Sequence, residues 1–111
     1  MGSRGVSFVR GRVYLVDIGL DEPKRLLIVS NNRRNNALGS ALAVGLTTST
    51  KPSLPSIVEL APADHPLVGR IVCDDILEIW PDELRKDMGV VSATTMNSVG
   101  VGLAAALGLT R

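Results

Sequence analysis

The sequence predicts a mainly β domain of the α+β type, with one α-helix at its C-terminal end. Short apolar segments of about four to eight residues recur between clusters of Gly, Pro, Asn and Asp, which is typical of strands joined by turns. The 111 residues suit one domain with one core. Hydrophobic residues make up 45% of the chain, which is enough to build that core and argues against disorder.

The predicted strands are rich in aliphatic and β-branched residues and are bounded by turn residues. They are residues 12–18, 24–30, 41–48, 57–60, 70–73, 76–80 and 88–91. A brief helical turn is predicted at 81–84 because Pro81 suits the first position of a helix. The polar segments at 19–23, 31–40 and 61–66 are predicted as loops. We expect these closely spaced strands to form a mostly antiparallel sheet that curls into a small barrel.

A C-terminal helix is predicted to begin after Ser92, whose hydroxyl can cap the first free backbone N–H groups. The apolar residues that recur every three or four positions on it are Met96, Val99, Leu103 and Leu107. Gly100 and Gly102 each destabilise such a helix by roughly 1 kcal/mol relative to alanine. We therefore expect the glycines to allow close packing against the sheet or a second subunit.

The net charge of +1 is unevenly distributed. Residues 1–36 carry seven basic and three acidic side chains, a net +4, and the remainder carries five basic and eight acidic ones, a net −3. A basic front half fits an anionic substrate or an acidic partner, although solvated basic loops give the same pattern.

The location of the protein is expected to be cytoplasmic. A single cysteine, Cys73, allows no intrachain disulfide and fits a reducing compartment. No apolar h-region follows Met1, and the longest apolar stretch, residues 99–109, is too short to span a bilayer. We expect no membrane partner.

The second and third predicted strands carry polar side chains at ends that can share one edge of the sheet. Lys24 and Arg25 stand at the entrance of the second strand, and Thr47 and Thr48 end the third. Cations and hydroxyls together suit a phosphate ester, so a nucleic-acid backbone is the first ligand to consider. The alternative is that each of these residues merely ends a strand.

Several segments, taken in order, match the pattern of a known family. They are residues 10–17, 27–31 with Asn35, 46–48, 55–60, 74–75, Leu84 with 88–89, and 96–109. By their order and spacing, residues 10–109 resemble the MazF/PemK family of toxin endoribonucleases from type II toxin–antitoxin systems. The resemblance implies a small, SH3-like curled antiparallel β-barrel over residues 10–111, preceded by a flexible leader at residues 1–9.

The resemblance also implies an activity, a toxin that cuts single-stranded RNA as an mRNA interferase. RNA carries its own nucleophile, the 2′-OH beside each scissile phosphate, so we expect no metal and no cofactor. The expected products are a 2′,3′-cyclic phosphate and a 5′-hydroxyl. A cognate acidic antitoxin and a homodimer are the implied partners.

The catalytic candidates are Arg25, Thr47 and Asp74. A guanidinium offers a fixed fork of donors to phosphate oxygens, and a threonine hydroxyl can donate to the same phosphate. Asp74 or the adjacent Asp75 could help to move a proton. The RNA-binding candidates are Lys24, Tyr14, Thr48 and Asn31. Tyr14 would act by stacking on a base, and core packing is its alternative.

Two departures from the family pattern concern the start of the second strand. The family's first loop is usually longer and ends in Arg-Pro, whereas here it is the short segment 19–23 and no proline follows Arg25. Counting back from Ser30 places the family's catalytic arginine on Lys24, while chemical type favours Arg25. Neighbours in a strand face opposite sides, so only one of the two side chains can enter a groove.

Two other functions fit the same fold. The gyrase-poisoning CcdB branch uses an aromatic-containing C-terminal tail, whereas this chain ends in Leu109-Thr110-Arg111. A relative that binds RNA or an antitoxin without cutting is the third hypothesis, and the shortened first loop and the missing proline keep it open.

Overall fold

The computed structural model describes residues 7–109, which form six strands, two α-helices and two 3₁₀ turns. The strands are β1 Arg12–Val16, β2 Lys24–Ile28, β3 Ala41–Thr47, β4 Ile57–Glu59, β5 Arg70–Ile79 and β6 Leu84–Val90. The helices are α1 Asn32–Leu38 and α2 Ala93–Ala106, and the 3₁₀ turns are Pro62–Asp64 and Pro81–Glu83. The second of these turns matches the helical turn predicted at Pro81.

All six strands belong to one antiparallel sheet in the order β4-β5-β3-β2-β1-β6. The predicted fold class, mainly β with a C-terminal helix, is confirmed. The sheet is curled but not closed, since β4 and β6 remain at its two edges. Its two faces carry separate apolar clusters, one centred on Leu27, Val44 and Ile71 and the other on Leu26 and Ile28.

Strand β5 is one continuous strand where the sequence predicted two. Val44 of β3 pairs with Ile76, but the next residue, Gly45, pairs with Val72. Residues 73–75 therefore bulge out of the β3–β5 ladder. The bulge contains Asp74 and Asp75, the two adjacent residues at which the sequence predicted a break between strands. It also changes the directions in which their side chains point.

Helix α1 occupies the middle of the segment that was predicted to be a loop. Asn31 caps it, since its side-chain oxygen accepts a hydrogen bond from the backbone N–H of Arg34 at 2.8 Å, and Gly39 ends it with a φ of 74°. Asn35 is buried, and its amide donates to the carbonyls of Ser30 and Phe8. These contacts explain how an asparagine-rich segment becomes helical despite its low intrinsic propensity.

Helix α2 begins where the sequence predicted, because the hydroxyl of Ser92 accepts a hydrogen bond from the backbone N–H of Thr95 at 3.2 Å. Its apolar stripe packs on the first core cluster as far as Leu103, whereas Leu107 is exposed. A β-carbon placed on Gly102 would lie 2.9 Å from the sulfur of Cys73, so this glycine allows close contact with the sheet. Gly100 faces open space.

The predicted leader is only partly covered, because residues 1–6 lie outside the described part of the chain, as do Thr110 and Arg111. Within the described residues, Phe8 is buried and packs edge-on against Tyr14, with ring centroids 5.6 Å apart. The boundary between residues 9 and 10 stays a prediction. No helix within residues 7–109 is both long and apolar enough to cross a membrane.

Candidate active site

A groove of about 560 Å³ opens on the face of the sheet that carries the second apolar cluster. It crosses strands β2, β3 and β5, and its polar lining residues are Lys24, Arg25, Thr47, Lys51 and Asp75. Three cations, a hydroxyl and a carboxylate thus border one concave surface. Such a surface can hold an anionic chain and also offer it one hydrogen-bond acceptor.

Strand pairing places Lys24 and Thr47 on the same side of the sheet. Leu26 of β2 pairs with Gly45 of β3, and the same antiparallel register continued by two residues sets Lys24 opposite Thr47. Because side chains alternate along a strand, Lys24 and Leu26 of β2 point to the same face as Thr47 and the side-chain position of Gly45 on β3. This is the face that forms the groove. Lys24 therefore stands beside Thr47 at the open end of the β2–β3 pair.

Arg25 leaves the sheet on the opposite face. Its side chain is half-buried, and its backbone pairs with that of Leu15 in the neighbouring strand β1. Its Nη1 donates a hydrogen bond to the backbone carbonyl of Val68 at 3.0 Å. That loop is packed directly behind Thr47, since a β-carbon on Gly69 would overlap the carbonyl oxygen of Thr47. Gly69 also has a φ of 116°, so both its backbone conformation and its close approach to Thr47 require glycine. Arg25 borders the groove, but its guanidinium is occupied in holding this loop.

Thr47 is the last residue of β3 and is half-buried. Its side-chain oxygen accepts a hydrogen bond from the backbone N–H of Ser49 at 3.0 Å, which fixes the orientation of the side chain. Among residues 7–109 its hydroxyl hydrogen has no acceptor, so it is free to donate to a ligand. Thr48 follows the strand and is exposed.

The two adjacent carboxylates serve different neighbours. Asp74 accepts a hydrogen bond from the hydroxyl of Ser56 at 2.8 Å, on the side of β5 that faces β4. Asp75 instead lines the groove, where a β-carbon on Gly45 would lie 2.7 Å from its Oδ2. The structure thus brings Asp75 to Lys24 and Thr47, and places the predicted catalytic residue Asp74 elsewhere.

Two of the predicted RNA-binding residues are engaged within the protein. Tyr14 is only 3% exposed, and its hydroxyl accepts a hydrogen bond from the backbone N–H of Val9 at 3.3 Å. Burial raises the pKa of Tyr14 and leaves no ring face for a base to stack on. Asn31 is exposed, but its side chain caps α1 away from the groove. Core packing and helix capping, respectively, explain these two residues.

Sequence reasoning did not find Gly45 or Lys51 as parts of the site. Gly45 lies inside an apolar run, and nothing in the sequence distinguishes it from any other glycine in a strand. Lys51 follows Thr47 by four residues in a proline-containing segment that has no periodicity to orient it. Its closeness to the threonine cluster was the only available signal.

Comparison with known proteins agrees with this architecture. Residues 9–107 match the family model described as PemK-like, MazF-like toxin of type II toxin-antitoxin system. Endoribonuclease MazF4 of Mycobacterium tuberculosis is 44% identical over 101 residues, which cover 91% of this chain and 93% of that protein. Endoribonuclease MazF1 of Mycobacterium bovis is similar to the same extent.

Solved structures give the same result. A mycobacterial endoribonuclease in complex with its cognate antitoxin superposes with a TM-score of 0.86 at 42% identity, covering 94% of this chain and 98% of that one. A further mycobacterial endoribonuclease gives a TM-score of 0.88 at 39% identity, covering 98% and 99% of the two chains. This chain therefore belongs to the PemK-like, MazF-like toxin family of type II toxin–antitoxin systems.

Proposed function

We propose that this chain is an endoribonuclease toxin that cuts single-stranded RNA by attack of the substrate's own 2′-OH. Relatives named as endoribonucleases, at 44% identity over nearly the whole chain, support the activity. The structural observation that carries the proposal is the strand register that sets Lys24 opposite Thr47 in a cation-lined groove. An RNA strand laid across this groove would meet an ammonium and a hydroxyl at one phosphate.

The chemistry follows from what this pair of residues offers. Cleavage requires the 2′-oxygen, the phosphorus and the 5′-oxygen to lie in line, while negative charge on the phosphate oxygens is stabilised. Thr47 donates its free hydroxyl hydrogen to one such oxygen, and Lys24 places its positive charge beside it. The 2′-oxygen bonds to phosphorus as the bond to the 5′-oxygen breaks, which yields a 2′,3′-cyclic phosphate and a 5′-hydroxyl.

Two protons must also move, one from the 2′-OH and one to the leaving 5′-oxygen. The Lys24 ammonium, which lies beside Thr47, can give a proton to the leaving oxygen. Only Asp75 of the two adjacent carboxylates lies in the groove, so carboxylate-assisted removal of the 2′-OH proton would require Asp75 rather than Asp74. No step in this scheme needs a metal ion.

Cleavage of a defined RNA oligonucleotide in the presence of EDTA tests this proposal. We expect cleavage to continue, the new ends to be a cyclic phosphate and a 5′-hydroxyl, and a single 2′-deoxy substitution at the scissile nucleotide to stop it. Cutting of the 2′-deoxy substrate at a similar rate would contradict attack by the 2′-OH. RNA binding without cutting would instead support a non-cleaving relative.

The same proposal includes partners and location. One of the similar solved structures is a complex with a cognate antitoxin, and the cations of the groove here would attract an acidic, partly disordered segment of such a protein. We propose that the chain acts as a homodimer in the cytoplasm, where it would meet RNA. Light scattering at tens of micromolar measures the oligomeric state, and a monomer would contradict the dimer.

A further inference from the structure

We infer that Asp75, lying over Gly45, forms a base-selecting subsite that prefers guanine next to the scissile phosphate. The inference rests on the proposed ribonuclease function and adds to it the substrate feature that this chain reads. The bulge in β5 and the missing side chain at position 45 create the subsite together.

The position of the carboxylate depends on Gly45. Any side chain at position 45 would project into the groove from β3 and would begin 2.7 Å from Oδ2 of Asp75. With glycine there, the carboxylate of Asp75 can rest over the backbone of β3 instead of being pushed outward. The carboxylate is exposed to solvent, and its position beside Gly45 makes it part of the groove lining.

The carboxylate is also available to a ligand. Although Lys24, Arg25 and Lys51 line the same groove, none of their charged nitrogens lies within 4.0 Å of a carboxylate oxygen of Asp75, and no hydrogen bond to its side chain occurs within residues 7–109. Asp74, by contrast, is engaged by Ser56. Asp75 therefore presents two oxygens that the described part of the chain leaves without a donor.

A carboxylate in a groove for a polyanion cannot face phosphate without repulsion, so it must face a part of RNA that donates hydrogen bonds. The 2′-hydroxyls and the edges of the bases are such parts, and single-stranded RNA exposes both. A base edge can present two adjacent donors to one carboxylate, which a single 2′-hydroxyl cannot. The partly exposed apolar side chains of Leu77 and Ile18 line the same groove and offer a surface to the flat face of a base. The cations that line the groove are then available to the phosphates of the RNA backbone.

Among the four bases, guanine fits two carboxylate oxygens best. Its Watson–Crick edge carries N1–H and the 2-amino group side by side, so both can donate to one carboxylate in a bidentate contact. Adenine and cytosine present one amino group beside an acceptor nitrogen, and uracil presents one N–H between two carbonyls. Each of these would turn an acceptor toward a negatively charged group.

The test compares matched RNA oligonucleotides in single-turnover cleavage, after the cut sites have been mapped in a random RNA pool. The oligonucleotides carry guanine, inosine, which lacks the 2-amino group, or adenine at each position flanking the cut. Wild type is compared with Asp75→Asn, with Gly45→Ala, which displaces the carboxylate without removing it, and with Asp82→Asn. Asp82 is exposed on the second 3₁₀ turn, outside the groove, and is the matched control. Thermal melts establish that every variant is folded.

We expect guanine to be enriched at one flanking position and to exceed inosine there by roughly tenfold in kcat/KM. This ratio should fall toward one in Asp75→Asn and in Gly45→Ala, and should persist in Asp82→Asn. A pool without guanine enrichment would overturn the inference. A uniform loss of rate in Asp75→Asn with the ratio intact would overturn it as well, because Asp75 would then serve proton transfer.

Binding separates this inference from the proposed function. Fluorescence anisotropy with uncleavable 2′-deoxy-substituted oligonucleotides measures guanine against inosine without any chemistry. If wild type cut no RNA but still bound the guanine oligonucleotide more tightly than its inosine match, the proposed function would fail and the subsite would stand. Equal binding of the two would overturn the subsite alone.

Discussion

Lys24 and Thr47 project to one face of the sheet from opposed positions on β2 and β3, while Arg25 reaches the carbonyl of Val68 from the other face. This arrangement favours Lys24 as the groove-facing cation and gives Arg25 a supporting position behind Thr47. The two side chains can be told apart by substitution, although chemical type alone favoured Arg25.

We predict that Lys24→Ala lowers the single-turnover cleavage rate by about 100-fold or more, because it removes a charge that stabilises the transition state. Lys24→Arg should recover only part of the activity, since a cation remains on the same face but a guanidinium is a poor proton donor to the leaving oxygen. Arg25→Ala should have a smaller effect on rate and should lower the melting temperature by loosening the loop at Val68. An inactive Arg25→Ala together with an active Lys24→Ala would reverse the assignment.

Thr47→Val should lower the rate of cleavage by about 100-fold. The substitution keeps the shape of the side chain but removes the hydroxyl hydrogen that is free to donate to phosphate. Thr47→Ser, which restores a hydroxyl, is the matched variant and should recover most of the rate. The exposed neighbour is a further control, and Thr48→Val should cut nearly as fast as wild type; equal losses at both positions would argue against a specific contact.

The approximate positions of most strands and the C-terminal helix could be predicted from the sequence because apolar periodicity and turn residues act locally. The direction of Asp74 and Asp75 could not, since it depends on a bulge that exists only where β5 pairs with Val44 and Gly45 of β3. Helix α1 was missed because it is supported by tertiary contacts of the buried Asn35, including the hydrogen bond that its amide donates to the carbonyl of Phe8, far along the chain. Lys24 was a candidate from the sequence, but the face of the sheet to which its side chain projects depends on the pairing of β2 with β3.

Asp64 is expected to make stability depend on pH. It is 2% exposed, and although burial opposes its ionisation, hydrogen bonds from Ser92, Thr95 and Ala61 outweigh burial and lower its pKa. A lowered pKa in the folded state stabilises the fold above the unfolded value of 3.8, and this contribution is lost as the pH falls through the folded pKa.

The change that tests this is Asp64→Asn, which should reduce the free energy of unfolding at pH 7 by about 1–3 kcal/mol. The difference from wild type should shrink in urea melts carried out as the pH falls below 3.8. A difference that stayed constant with pH would mean that packing, and not the charge, accounts for the effect.

The two glycines of α2 should respond to alanine in opposite directions. A β-carbon at Gly102 would lie 2.9 Å from the sulfur of Cys73 and 3.1 Å from the carbonyl of Pro55, so Gly102→Ala should destabilise the protein by about 1–3 kcal/mol. Gly100 meets nothing within 4 Å, so Gly100→Ala should stabilise the helix by up to about 1 kcal/mol. Denaturant midpoints of the two variants measure both effects, and a destabilising Gly100→Ala would indicate that this face is covered by another chain.

An acidic peptide that models an antitoxin segment should compete with RNA for the groove, because Lys24, Arg25 and Lys51 border it and all three are positive. Raising the salt concentration from about 0.1 M to 0.5 M should weaken binding by roughly tenfold or more, since exposed charges are screened over a shorter distance. A peptide with glutamine in place of each glutamate is the control and should bind weakly at both salt concentrations. Lys51→Gln should weaken the acidic peptide without touching the pair formed by Lys24 and Thr47. Isothermal titration measures these affinities, and binding that was indifferent to salt would show that apolar contacts dominate and that the groove does not select its partner by charge.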